Sequence, residues 1–277
     1  MSDLLRVASF NVNGIRAAQR RGFSDWLGDR RPDIVAVQEM RAPANHVPEG
    51  VFGDLHVAYH PGNLPGRNGV AIASRVAPTA VRQGFGNRIF DPEGRYIEVD
   101  LDLPGRPLTV GSLYVTKGAP VVGPEADLPK YRRKMRFLAS FRAYLVAARR
   151  RAAREGREFL VMGDFNVAHG RQDLKNWRGA GQKEGFLPEE RAWFGSLLGP
   201  RTLVDVVRSV HPEAEGPYSW WSWMPGAFDR DSGWRIDYHL ASPMLARAAV
   251  AAGTDREASA DARISDHAPV VVDYATP

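Results

Sequence analysis

Short apolar runs bounded by Gly, Pro, Asn or Asp recur along the whole chain and set its organisation. Runs of that length read as buried strands. They predict strands over 5–10, 33–38, 54–59, 69–74, 95–101, 108–113, 158–162, 235–240 and 269–273. Between them the apolar residues fall at helical spacing. Residues 15–27 predict a helix with Gly28 as its C-cap. Residues 130–154 predict a long helix in which Met135, Leu138, Tyr144, Leu145 and Ala148 lie among many arginines. Its run Arg149-Arg150-Arg151 reads as a solvated helix face, with DNA contact as the alternative. Residues 188–198 open on Pro188, Glu189 and Glu190, a suitable first helical turn. Strands and helices mix without strict alternation and no low-complexity linker divides them. The pattern predicts one domain over residues 1–277, an α/β protein with two sheets and helices outside. Phe10-Asn11-Val12 and Phe165-Asn166-Val167 form a short echo after strand-like runs. It hints at two similar halves packed face to face around shared strand ends, although three residues are close to chance.

Three runs adjoin chemistry. Phe159-Leu160-Val161-Met162 leads into Gly163-Asp164-Phe165-Asn166, and Val35-Ala36-Val37 leads into Gln38-Glu39. Ser265-Asp266-His267 precedes Ala268-Pro269-Val270-Val271-Val272. Strand alternation puts Asp164 and Asn166 on one face. There an aspartate can take a proton from water while the amide holds the water or a phosphate oxygen, although an ordinary loop could carry the same pair. Glu39 ends an apolar strand, where a carboxylate is costly unless paired or metal-bound; a solvated loop glutamate is the alternative. Asn11 and Asn13 precede Gly14, so they read equally as a turn. His267 has Asp266 beside it and Asp237 as a pairing candidate, where a lone histidine would be an ordinary satisfied residue. Acids, amides and a histidine at strand ends are what metal-assisted phosphodiester hydrolysis requires: hard oxygens hold the cation, which neutralises charge developing on the phosphate. Trp220, Trp221, Trp223 and Trp234 crowd one region, and they read either as core or as a loop platform for a base or an abasic gap.

Composition narrows the class. With 44% hydrophobic and 25% charged residues among 277, the chain can bury a large core. It has no cysteine, which excludes disulfides, thiolate zinc sites and a cysteine nucleophile. The N-terminus, Met1 to Arg6, shows neither a basic nor an apolar leader segment, and no run approaches the roughly 20 apolar residues of a membrane span. A cytoplasmic enzyme with no membrane association is therefore expected. Net charge is +5 with pI about 9.6, and only five of the 37 basic residues are lysine. Arginine suits a polyanionic partner, but codon composition gives the same bias.

The motifs in order resemble the exonuclease III family of apurinic/apyrimidinic endonucleases. They are Ser9-Phe10-Asn11-Val12-Asn13-Gly14-Ile15-Arg16, Val37-Gln38-Glu39-Met40-Arg41 and Leu113-Tyr114-Val115, then Gly163-Asp164-Phe165-Asn166-Val167-Ala168-His169 and Asp173-Leu174-Lys175-Asn176-Trp177. Tyr218 to Trp223, Gly233-Trp234-Arg235-Ile236-Asp237-Tyr238 and Ser265-Asp266-His267 complete a set that spans the chain. The resemblance implies a four-layer α/β sandwich of two mixed β-sheets flanked by helices. It implies magnesium, with manganese as substitute, held chiefly by Glu39 with Asn11, Asp266, Asp164 and Asn166 around it. Asp164 would orient or deprotonate water, Asn166 would hold the phosphate, and His267 oriented by Asp237 would stabilise the transition state. Tyr114 would act near the phosphate or leaving group. Arg41, Asn176, Trp220, Met224, Trp234 and His267 would meet DNA, with Trp220, Met224 and Trp234 forming the pocket for a flipped-out abasic sugar. The implied partner is double-stranded DNA with abasic sites or 3′ ends, met by a monomer in a bacterial, nucleoid-associated setting. Two departures touch the DNA groove: Thr116-Lys117 after the tyrosine, and Arg178 to Glu184 where the family is rich in Asn and Lys. Related folds hydrolyse other phosphoesters, and a non-catalytic damage binder is a further alternative; the complete acid set argues against the latter.

Overall fold

The computed structural model describes residues 4–64 and 66–276. The readings of the N-terminus and of the domain limits reach residues 1–3 and 277, which lie outside the described residues. The first sheet opens with β1 (Leu4–Asn11), β2 (Ile34–Gln38), β3 (His56–His60) and β4 (Val70–Ser74). The second contains β5 (Ala80–Gln83), β6 (Tyr96–Leu103), β7 (Arg106–Tyr114), β8 (Glu158–Asp164), β9 (Val204–Asp205) and β10 (Asp237–Ala241). The chain then returns to the first sheet with β11 (Ala249–Thr254) and β12 (Val270–Ala275). The strand orders are β11-β12-β1-β2-β4-β3 and β5-β6-β7-β8-β10-β9. Each sheet has one parallel pair at its centre, β1 with β2 and β7 with β8, and antiparallel neighbours elsewhere. The Phe-Asn-Val echo marks the ends of matching central strands: Phe10-Asn11 close β1, and Phe165-Asn166-Val167 directly follow β8.

Strand alternation sorts the apolar residues into three layers of core. Val7, Ile34, Ala36 and Ile72 meet Ile97, Val99, Val110, Leu160 and Met162 between the sheets. On the outer face of the first sheet, Ala8, Phe10, Val35 and Val37 pack on Ile15 of α1 (Ile15–Arg20) and on Phe23 and Leu27 of α2 (Phe23–Arg30). On the outer face of the second, Tyr96, Leu113, Phe159 and Val161 pack on Phe137, Leu138, Phe141 and Leu145 of α3 (Leu128–Arg154) and on Phe194 of α4 (Pro188–Gly195). The result is helix, sheet, sheet, helix, the four-layer sandwich that the family resemblance implied. With both faces covered, β2 and β4 are buried along their whole length, which is why they read as unbroken apolar runs. No helix among the described residues is long and apolar enough to cross a membrane.

Three local expectations are corrected. The helix expected over 15–27 is two helices, because Gly22 takes φ 99° between them, a conformation that residues with side chains rarely adopt. Gly28 lies inside α2, and the helix ends instead at Arg31, left-handed at φ 50°, whose N–H bonds the Leu27 carbonyl. The arginine run on α3 is not a uniformly solvated face: Arg149 donates to the Arg201 carbonyl and Arg151 to the buried Glu98 carboxylate, while Arg150 is exposed.

Candidate active site

Strand register does most of the placing. Tyr114 ends β7 beside Asp164, which ends β8, and Asp237 opens β10 opposite Asp164. Three candidate side chains thus stand in one row across three strands. In the other sheet Asn11 ends β1 opposite Gln38, with Glu39 next along the chain. Asp266 and His267 precede β12, with Ala268 and Pro269 between. The two sheets end together at a cavity of about 280 Å³ whose walls include Glu39, Tyr114, Asp164, Asn166, Asp266 and His267. Gly163 makes the row possible: a Cβ there would lie 2.0 Å from the Leu113 carbonyl oxygen, so only glycine lets β8 approach β7. Strain gathers at the same end. Four of the seven non-glycine residues with positive φ among the described residues are Asn13, Glu39, Arg41 and Asn166. Each such residue costs on the order of 1 kcal/mol or more, a cost that functional sites commonly carry.

Two side chains bridge the sheets. The Asn11 amide donates to Glu39 Oε1 at 2.9 Å and to Asp164 Oδ2 at 3.0 Å, while its Oδ1 accepts the Asn13 N–H at 3.1 Å. His267 places Nδ1 2.8 Å from Asp237 Oδ2 and Nε2 3.9 Å from Asp164 Oδ2. Ser219 donates to Asp237 Oδ2 at 2.6 Å, leaving Oδ1 of that buried carboxylate without a partner. Asn166 gives its backbone N–H to Asp164 Oδ1 at 2.8 Å and its amide to the Val115 carbonyl at 2.9 Å and Asp164 Oδ2 at 3.2 Å. Asp266 accepts from Asn13 at 2.7 Å and from the Trp220 indole at 3.1 Å. Arg41 caps Glu39 Oε2 through both Nε and Nη2.

Burial, and then the charge of Asp237 opposite, push the Asp164 carboxyl above the usual carboxylate range, against the pull of His267. Burial alone would lower the His267 imidazole, but the charge and hydrogen bond of Asp237, with Asp164 and Asp266 beyond, raise it and hold the ring protonated. Asp266 goes the other way: burial would raise it, but His267 and the Trp220 and Asn13 donors lower it. Burial, followed by Glu39 and Asp164, lifts the Tyr114 phenol far up, so it stays a donor.

Glu39, Asp164 and His267 bring potential ligand atoms within 4.8 Å of one another. The residues fit a hard divalent cation. Burial, and then the charges of Asp237 and Glu39, raise Asp164, and an added cation would relieve that crowding. The carboxylates are the natural donors, because the His267 ring, held protonated by Asp237, has no lone pair to offer a cation.

The expected aromatic platform is only half present. Trp220 and Trp234 cross at 82° with centroids 6.3 Å apart and line the cavity. Trp221 is buried against Phe228 and belongs to the core. Trp223 is exposed, with the Arg263 guanidinium 4.0 Å and that of Arg21 5.0 Å from its ring. Arg41 borders the cavity, whereas Met224 is 72% exposed and outside its lining. Asn176 sits in an adjoining cleft with Lys175, Trp177, Arg178 and Lys183, and Lys183 borders both spaces. Sequence reasoning missed Ser219 behind Asp237, and also Lys134 and Glu190 below the cavity. Lys134 did carry a signal, since it stands at helical spacing from Phe137, Leu138 and Phe141 on the apolar stripe of α3.

The sequence matches the Endonuclease/Exonuclease/phosphatase family over residues 8–267. It is similar to an exodeoxyribonuclease of Bacillus subtilis, 32% identical over 270 residues that cover 96% of this chain and 98% of the relative. The fold is similar to that of the 3′ phosphatase NExo from Neisseria bound to a product DNA hairpin, with TM-score 0.84, 29% identity and coverage of 98% of this chain and 99% of that one. It is also similar to an AP endonuclease from Archaeoglobus fulgidus, with TM-score 0.81, 29% identity, and 98% and 99% coverage.

Proposed function

The chain belongs to the exonuclease III group of the endonuclease/exonuclease/phosphatase family and is a nuclease, and from that premise we propose that it is a DNA-repair phosphodiesterase. Its substrate is double-stranded DNA. It cleaves 5′ to abasic sites and works at 3′ ends as a 3′-to-5′ exonuclease that also removes blocking groups. Residues 1–277 act as one catalytic domain, which the core shared by both sheets supports. The reading places the protein in the bacterial cytoplasm at the nucleoid, as a monomer.

The observation that carries the proposal is the pair of bridges: Asn11 between Glu39 and Asp164, and His267 between Asp164 and Asp237. Together they aim a base, an acid cluster and an imidazolium at one point. Asp164, made more basic than an ordinary carboxylate by its raised pKa, takes the proton from the attacking water. Asn166 orients that water and the phosphate, having its backbone fixed to Asp164. His267, charged and oriented by Asp237, donates to the non-bridging phosphate oxygens as negative charge gathers there. Tyr114 offers its phenol proton near the leaving group or the phosphate. Glu39 would hold magnesium, or manganese in its place, with Asn11, Asp266, Asp164 and Asn166 around it; when bound, the cation neutralises phosphate charge. Trp220 and Trp234 form the apolar wall against which an extruded abasic sugar packs, with exposed Met224 as the pocket's third member, while Arg41 and Asn176 meet the backbone.

A duplex carrying one abasic site tests the proposal. Incision 5′ to the site with magnesium, its loss with chelator, and its loss in Glu39→Gln at limiting magnesium are expected. Incision that persists in chelator, or a Glu39→Gln enzyme as active as the parent, would overturn the assignment.

A further inference from the structure

α3 carries an unusual guest on its buried stripe. Lys134 is 1% exposed, in line with Phe137, Leu138, Phe141 and Leu145. Its Nζ lies 2.7 Å from Oε1 of Glu190 on α4, itself fully buried, and donates to the Asn166 carbonyl at 2.8 Å. Glu190 in turn accepts the Leu187 N–H at 3.2 Å, which ties the pair to the first turn of α4.

Helix packing does not call for this arrangement. A buried ion pair is often no more stabilising than apolar residues of the same volume. What an apolar pair could not do is hold a backbone carbonyl. Asn166 needs holding: it is left-handed at φ 50°, and its N–H and side chain both contact Asp164. The contacts run in one line, Glu190 to Lys134 to Asn166 to Asp164. Gly118 closes over the line, since a Cβ there would lie 2.9 Å from Lys134 Cδ and 3.2 Å from Glu190 Oε1. Lysine is also scarce, five of 37 basic residues, yet three of the five (Lys117, Lys134 and Lys183) border this cavity.

We infer that Lys134, braced by Glu190, is a positioning residue that fixes the Asn166 backbone and thereby sets the Asp164 carboxylate in its working orientation. The inference rests on the nuclease reading of the same site. Too buried to meet substrate, Lys134 acts on turnover and not on binding.

Three variants test it: Lys134→Met, Glu190→Gln and the double variant, which leaves no unpaired charge in the interior. The parent enzyme is run alongside on abasic duplex with magnesium. In the double variant, kcat should fall about tenfold or more, with KM and DNA affinity in chelator within twofold and Tm within a few degrees. Glu190→Gln alone, which keeps the Lys134 bond to Asn166, should retain kcat within about threefold. Independently of activity, amide exchange at Asn166 should speed up in the double variant while the interior of β8 is unchanged. Parental kcat in the double variant, or unchanged Asn166 exchange, overturns the inference and leaves the nuclease reading intact. A loss in Glu190→Gln as large as in the double variant would reduce the pair to packing and overturn it too. An inactive parent would overturn the nuclease reading, and this inference with it.

Discussion

Two residues apart, Arg235 and Asp237 belong to buried charge clusters with opposite outcomes. Arg235 bonds Asp173 at 2.8 Å and Asp205 through both terminal nitrogens at 3.0 and 2.8 Å, and Arg208 adds a second guanidinium on Asp173 at 2.6 Å. Burial would raise Asp173, but Arg235 and the hydrogen bonds around it win, and the carboxyl falls below its usual range. Asp237 faces Asp164 across the antiparallel pair of β10 and β8, at the same depth. There, among the described residues, the hydrogen bonds and ion pairs of Glu39, Asp164, Asp237 and Asp266 reach two cationic side chains, Arg41 and His267. Burial is shared; the charge count differs. A balanced cluster fastens loops, whereas an acid-rich one keeps proton affinity and demand for a cation.

The sharpest way to break this contrast is Asp164→Asn. Turnover should fall by about three orders of magnitude or more while abasic-DNA affinity persists, because the basic surface supplies most of the binding. The fold should not weaken, since the change removes one of the opposed carboxylates. Lost affinity or a large drop in Tm would place Asp164 in the structural class. The mirror experiment is Arg235→Met, which leaves Asp173 and Asp205 short of their shared partner. Urea denaturation should show a loss of about 3–5 kcal/mol, the usual result of removing one member of a buried pair. Unchanged stability would mean that the network fastens nothing.

A smaller effect separates the clusters by pH. Asp164 is raised in the fold, so the folded state holds its proton more tightly than the unfolded chain. In chelator, its contribution should fall as pH rises above the ordinary carboxylate range of about 4. Asp173 is lowered, so its contribution should be present above that range and lost as pH falls below it. Denaturation across pH should therefore show Asp164→Asn gaining on the parent from acid toward neutral pH. A gap constant with pH would remove the electrostatic reading.

The fold was most legible where strands are covered on both faces, as in β2 and β4. The three strands that pattern reading missed, β5, β9 and β11, are all sheet edges. Edge strands pair on one side only, and here they are short or half-exposed, with Val81 and Val250 turned outward. Among the site residues, Glu39, Asp164 and His267 stood out because each adjoins an apolar run. What joins them was not legible. That Asn11 spans two sheets, or that a lysine from α3 reaches Asn166, depends on pairings over 153 and 32 residues of chain. The tryptophans misled because local density says nothing of direction. Trp221 turns into the core while Trp220 beside it turns to the cavity.

The strand order of the first sheet also bears on synthesis. β1, at the centre of that sheet, lies between β2 and β12, which is drawn from the far end of the fold. A nascent chain can assemble β5 to β10 as a contiguous block, because those strands pair only with one another. It cannot flank β1 on both sides, nor deliver Asp266 and His267, until the ribosome has released the segment around β12. On the roles proposed for Asp266 and His267, the site therefore stays incomplete until that segment has emerged, and the same late strand that completes the sheet brings both residues to it.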